Sequence, residues 1–329
     1  MTTTFTRPRV LLSEVLFSTP DRNFGTLAAL PSNVQTIESA LLFSTGHLQF
    51  LAIVGPSGWG KTHLLEAVAA RVRRDLGVGP TVESAMEWVC AGGKAETPGP
   101  LILDNVQDLL DGPRTRMTLR VILERRLRAA RPTLLAFTAA KPTRPVRHLL
   151  PNLREWMLAT MPAPDPTERA LVIDRIATGE GLRLSPVLVR LMATRMKGNG
   201  RTLAGALKRL RLQGVDWMDD FQVLRACGTL DPFFADSSDW DLVEAVVRTL
   251  DRAIAPNADL DRGGLALHLL LHGAALNESH VARRFGIEPA KAYAAAARFE
   301  RASRSLGLAA ASERLLVHAL VDGLSKDQV

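Results

Sequence analysis

The chain has 329 residues, with 41 Lys and Arg against 34 Asp and Glu, a net charge of +7 and a sequence pI near 10.0. Its length exceeds one typical domain and predicts two or three packed units, while 47% hydrophobic and 23% charged residues exclude wholesale disorder. No apolar run approaches the ~20 residues needed to span a bilayer, no secretory h-region opens the chain, and only two cysteines, Cys90 and Cys227, are present, far apart and in no CxxC pattern, which excludes a Cys-rich metal motif or a disulfide framework. The expected setting is therefore a reducing cytoplasm with no membrane partner, and the basic excess implies an anionic one.

Residues 1–24 read as a loosely ordered lead-in. Apolar residues at helical spacing predict a helix from Asn33 to Phe43. The run LQFLAIV, Leu48 to Val54, is short, apolar and closed by a glycine turn, the pattern of a buried parallel strand. An amphipathic helix follows from His63 to Arg74, a second buried strand from Pro100 to Asp104, a basic helix from Leu119 to Ala130, and a third strand from Thr133 to Ala139. Strands alternating with helices predict an α/β core with a parallel sheet over residues 25–162.

Beyond the Pro-rich joint MPAPDP the pattern changes. Three helices, Thr167–Thr178, Ser185–Met196 and Arg201–Leu212, predict a small helical lid over 163–227. Residues 228–240 read as a linker, and 241–329 as an Ala- and Leu-rich helical C-terminal unit.

The sharpest motif is GPSGWGKT: Gly55, Pro56, Ser57, Gly58, Trp59, Gly60, Lys61 and Thr62. It fits G-x-x-x-x-G-K-[ST] and lies between a predicted strand and a predicted helix. Glycines let the backbone curl so that successive N–H groups face an anion, and the helix adds its positive end. Lys61 is then placed for β/γ phosphates and Thr62 for Mg²⁺. Asp104, closing the LILD strand 42 residues after Thr62, is the carboxylate that Mg²⁺ needs. That interval leaves room for one further strand and helix. Asn105 follows where many ATPases carry a second acid. An amide can orient water but cannot accept its proton, so weak or absent hydrolysis is expected. Thr138, ending the third strand, is either a contact for the γ-phosphate or its water, or an ordinary strand threonine.

Three stretches resemble the DnaA family of AAA+ ATPases, the bacterial replication initiators and their Hda-type regulators. They are GPSGWGKTHLLEAV (Gly55 to Val68), LILDNVQ (Leu101 to Gln107) and GNGRTLAGALKRL (Gly198 to Leu210). The resemblance covers residues 22–215 well and 238–329 weakly. It implies an AAA+ core, a helical lid and a DNA-binding C-terminal domain. It also implies that the loop and the adjoining His63 bind ATP or ADP, that Thr62 and Asp104 hold Mg²⁺, that Thr138 is sensor I, and that Arg201 is sensor II. Arg154, in LPNLREW, is the candidate arginine finger, which carries ATP-dependent self-assembly with it. Asn105 departs from DnaA but is shared with Hda-type regulators. The stretch between the phosphate loop and Asp104 is shorter than in DnaA.

Residues 276–304 resemble a helix-turn-helix, with helices Glu278–Phe285 and Pro289–Ser303 about a glycine turn. Arg283, Arg284, Lys291 and Arg298 are the candidate DNA contacts, for duplex first and single strands second. Glu288-Pro289-Ala290-Lys291 replaces the family's base-reading signature, which leaves backbone contact. An ordinary helical hairpin with a solvated basic face is the rival. His268 and His272 stand four apart, but the sequence shows no accompanying carboxylate or cysteine, so they read as core or surface histidines.

Charge by segment sharpens the picture. Residues 114–154 hold 11 Lys and Arg against one acid, and 183–211 hold 8 against none, whereas 238–329 are nearly balanced at 11 against 12. The expected function is that of an ATP-binding, DNA-binding protein in the initiation or regulation of chromosomal replication, acting with DNA, with copies of itself or with another replication protein. An Hda-like regulator of another AAA+ protein and a helicase loader are the alternatives.

Overall fold

The computed structural model describes residues 22–77, 79–93, 99–219, 222–234, 242–253 and 261–306. The lead-in up to residue 21 and the end beyond 306 lie outside the described residues. The chain divides into two compact units. One ends at Pro162; the other starts at Ala163 and also takes in Ser57–Trp59.

The first unit is an α/β core. Its elements in order are α1 (Val34–Ser44), β1 (Phe50–Gly55), α2 (Lys61–Leu76), β2 (Val82–Ser84), α3 (Ala85–Cys90), β3 (Leu101–Asp104), α4 (Pro113–Arg128), β4 (Thr133–Thr138), α5 (Arg144–Leu149) and β5 (Met157–Thr160). The five strands form one sheet in the order β2-β3-β4-β1-β5, and every pairing is parallel. All six residues of β1 are buried, which is why the strand reads as an unbroken apolar run.

The sheet's period of two sorts its side chains into two cores. Leu51, Ile53, Ile102, Leu134 and Ala136 pack with Leu64, Leu65, Val68 and Val72 of α2 and with Phe43 of α1. Phe50, Ala52, Val54, Leu103, Leu135 and Phe137 pack on the opposite side with Trp88, Leu119, Leu123 and Leu149. The result is a helix–sheet–helix sandwich with the ends of β1, β3 and β4 on one edge.

The three strands and the helices of this core read from the sequence are all present. The further strand and helix allowed between Thr62 and Asp104 are β2 and α3. The basic helix begins at Pro113 rather than Leu119, because Pro113 starts it after Gly112 while the buried stripe begins only at Leu119. Strand β5 and helix α5 were not evident. In β5 only Ala159 is buried, so its pattern is that of an edge strand, held in place by Trp156 against Phe50 at a ring separation of 5.4 Å.

The second unit is helical: α6 (Pro166–Gly179), α7 (Pro186–Arg195), α8 (Gly200–Leu212), α9 (Val223–Phe234), α10 (Leu242–Ala253), α11 (Arg262–His268), a π-helical turn (Leu269–Gly273), α12 (Glu278–Phe285) and α13 (Pro289–Leu306). Asp165, Ser185 and Asn199 cap α6, α7 and α8 through side-chain oxygens. Buried side chains from Ile173 to Phe299 form one cluster.

The linker expected at 228–240 is corrected as far as Phe234, where α9 continues. Its Gly, Thr, Asp and Pro look like breakers. Leu224, Cys227 and Leu230 nevertheless lie three apart and are buried, and any Cβ on Gly228 would overlap the Ala274 carbonyl. Glycine is there for close packing, and tertiary burial overrides weak helix propensity. Residues 235–240 lie outside the described residues.

No helix among the described residues is long and apolar enough to cross a membrane.

Candidate nucleotide-binding site

The GPSGWGKT loop leaves β1 and becomes α2 at Lys61. Gly55 has no room for a side chain, since a Cβ there would overlap the Met161 carbonyl. Gly60 has φ +95°, a backbone that L side chains rarely adopt, and it caps α2 without any side-chain hydrogen bond. The first N–H groups of α2 are therefore not covered by a side-chain cap, which suits an anion.

Lys61 is buried at 6% exposure. Its Nζ donates to the Gly55 and Pro56 carbonyls, each at 2.8 Å, so the ammonium lies inside the loop. Thr62 Oγ1 donates to Asp104 Oδ2 at 2.6 Å, and Asp104 Oδ1 accepts from the Asn105 N–H at 2.8 Å. Strand β3 thus brings a carboxylate from 42 residues away onto the hydroxyl beside the loop. This set of hard oxygens fits Mg²⁺.

Asn105 is exposed and left-handed, with φ 54° and ψ 39°, a conformation that Asn tolerates better than most residues. Gln107 was not singled out in the sequence. Its Oε1 accepts from the Thr138 backbone N–H at 2.8 Å while its Nε2 reaches Asn105 Oδ1 at 3.4 Å. It joins the ends of β3 and β4 across the edge where Gly55 pairs with Thr138. Its signal in the sequence was its place three residues after Asp104, at the end of the LILDNVQ stretch.

His63 faces the first of the described residues: its Nε2 lies 3.0 Å from Thr26 Oγ1 and 3.1 Å from the Asn23 carbonyl. Burial, more than the nearby Arg22 charge, holds its imidazole below the ordinary histidine value. It fixes the approach to α2.

Arg154 is exposed in a 3-10 turn, Leu153–Glu155. The turn is anchored by Trp156, whose Nε1 donates to the Pro151 carbonyl at 3.0 Å. In the second unit Arg201 is exposed in the first turn of α8, and its N–H is held by Asn199 Oδ1 at 3.0 Å. Trp59 belongs to the same unit, with the Arg169 guanidinium 5.9 Å from its ring centroid. Ser57 and Gly58 also fall in that unit. Arg283, Arg284, Lys291 and Arg298 are all exposed on α12 and α13. Gly286, with φ 65°, ends α12, and Lys291 pairs with Glu288 at 3.2 Å.

A strand–loop–helix phosphate cradle at one edge of a parallel sheet, with a carboxylate from the strand two places away, defines the class: the chain has the P-loop core of the AAA+ fold. Its likeness is narrower than that class. Domain III of Thermotoga maritima DnaA, a replication initiation protein, is 20% identical and superposes with a TM-score of 0.56, covering 65% of this chain and 98% of that one. A DnaA replication initiator bound to AMPPCP and single-stranded DNA is 17% identical, with a TM-score of 0.51 over 94% of this chain and 99% of that one. DnaA from Aquifex aeolicus bound to AMPPCP is 17% identical, with a TM-score of 0.50 over 95% and 100%. The fold is DnaA-like. No family model matches the sequence, and no curated protein matches it.

Proposed function

We propose that this chain is an ATP-binding, DnaA-like protein that binds DNA and acts in the initiation or regulation of chromosomal replication. The observation that carries the reading is the triplet Lys61, Thr62 and Asp104, assembled at the sheet edge around an uncapped helix start. Lys61 would turn its ammonium from the loop carbonyls to the phosphates of a bound nucleotide. Thr62 and Asp104 hold Mg²⁺, which neutralises phosphate charge when bound. Asn105 orients water without taking its proton, so ATP persists and serves as an assembly switch rather than a fuel. Arg201 on α8 reports the nucleotide, and Arg154 reaches a neighbouring copy's phosphates.

The helices beyond residue 241 form the DNA-binding part, a helix-turn-helix-like hairpin of α12 and α13. Arg283, Arg284, Lys291 and Arg298 grip phosphates of duplex DNA. The AMPPCP and single-stranded DNA seen with a DnaA structure support both ligand classes. The presence of α11 to α13 favours an initiator-like protein over an Hda-like regulator, whose family lacks a C-terminal unit.

Lys61→Ala tests the site. The lost charge-assisted bonds, about 1.5–3 kcal/mol, predict ATP binding weakened at least ~10-fold in equilibrium titration, and unchanged affinity would refute the reading. For DNA, the Arg283→Ala, Arg284→Ala double variant is compared with the parent across salt concentrations. A shallower salt slope is expected, and an identical slope would remove α12 from the interface.

A further inference from the structure

We propose that His268, His272 and Glu300 form a binding site for one divalent transition-metal ion of the zinc class, tying α13 to the junction of α11 and the π-helical turn. One ligand atom from each of these residues lies within 4.8 Å of the others. The sequence showed only two histidines four apart; the fold supplies the missing carboxylate from α13, 28 residues beyond His272.

The second observation is independent of that clustering. His268 is 9% exposed, and its Nδ1 is fully enclosed with no hydrogen-bond partner among the described residues. The imidazole packs against Phe299 at a ring separation of 5.8 Å and lies 5.4 Å from the His272 ring. A side chain needed only to pack on Phe299 would be better served by leucine, because a buried ring nitrogen without a partner is destabilising.

The geometry suits the ligand. His268 ends α11, and His272 stands in the π-helical turn of Leu269–Gly273 that follows, a backbone form often found at functional sites. Tyr293 of α13 meets the His272 ring edge-on at 5.6 Å and flanks the cluster. Tetrahedral bonds of about 2.0–2.1 Å place ligand atoms ~3.3 Å apart, so small side-chain rotations from the present spacing close the site. Two imidazoles and one carboxylate favour Zn²⁺ over Mg²⁺ or Ca²⁺, which prefer all-oxygen shells. The fourth position is left to water. No step of catalysis is assigned to the ion; it fixes α13 on α11.

The test is calorimetric titration of the full chain with ZnCl₂ in excess Mg²⁺, which occupies the hard-oxygen site at Thr62 and Asp104. Co²⁺ absorption spectra supply a second readout of nitrogen ligation. The parent is expected to bind one Zn²⁺ per chain and to melt at higher temperature with it. His272→Ala, at an exposed position, and the near-isosteric Glu300→Gln are each expected to weaken binding at least ~10-fold and to lose the Zn²⁺-dependent rise in melting temperature, while their circular dichroism matches the parent's. Absence of one-to-one binding by the parent, or parent-like affinity in both variants, overturns the proposal.

Discussion

Arg126 gives a sharp test of how the core is held. It belongs to the basic helix α4, yet it is 1% exposed. Its Nε donates to Thr133 Oγ1 at 3.0 Å, and its Nη2 donates to the Gly99 and Pro132 carbonyls, each at 2.9 Å. These groups frame the starts of β3 and β4. Burial, with a smaller push from Arg131, lowers the guanidinium to about 10, so it remains charged at neutral pH. Truncation in Arg126→Ala removes these bonds from a cation, but the loss is uneven. Pro132 O still accepts from the Leu101 N–H at 3.0 Å, and Thr133 Oγ1 still donates to the Arg131 carbonyl at 3.0 Å. The Gly99 carbonyl and the cavity dominate the cost. With about 1–3 kcal/mol for each buried group left short, the expected loss is about 3 kcal/mol. At roughly 2–4 °C per kcal/mol for a unit of this size, the melting temperature falls by roughly 6–12 °C. Arg126→Lys keeps the charge but not the fork and should fall between. Thermal unfolding followed by circular dichroism reads both. An Arg126→Ala variant within about 1 kcal/mol of the parent, or a lysine variant equal to arginine, would refute the reasoning.

Asn105→Asp supplies a carboxylate at a left-handed position that Asp also tolerates; it should raise single-turnover phosphate release up to ~100-fold with ATP affinity unchanged. Gln107→Ala frees the Thr138 N–H and should lower hydrolysis while costing about 1 kcal/mol of stability, measured by phosphate release and melting temperature together. Gly55→Ala drives a Cβ into the Met161 carbonyl, so nucleotide titration should show loss of binding along with a lower melting temperature.

The α/β core was legible because its three central strands, β1, β3 and β4, are buried on both faces and its motifs are local. Lys61 and Thr62 adjoin in sequence, and Asp104 closes an apolar strand, so burial and chemistry point to the same residues. What stayed hidden was carried by contacts distant in sequence. β5 contributes one buried side chain and relies on Trp156, and α9 runs through Gly228 because an Ala274 carbonyl approaches it. Gln107 looks like any exposed amide until β4 brings Thr138 to it. The pair of histidines lacked a carboxylate only so long as α13 was viewed as a separate stretch of chain.

Charge counting shows the same limit from the other direction. The block 114–154 holds 11 basic residues, and the count treats them as equivalent. In the fold Arg126 is internal, Arg116 donates to the Leu110 carbonyl, and Arg120 pairs with Glu124 at 3.3 Å while also donating to the His148 carbonyl. In the block 183–211, Arg211 pairs with Glu180 at 2.8 Å. These cations serve the fold at least in part. Among the arginines of these two blocks, one that holds backbone carbonyls or an acid is engaged within the fold, whereas a phosphate of DNA can be met only by an exposed charge. Arg154, Arg201, Arg283, Arg284 and Arg298 keep such exposure. Salt titration of DNA or ATP binding should therefore respond to variants of this exposed set, while Arg126 variants should change melting temperature and leave the salt slope unmoved.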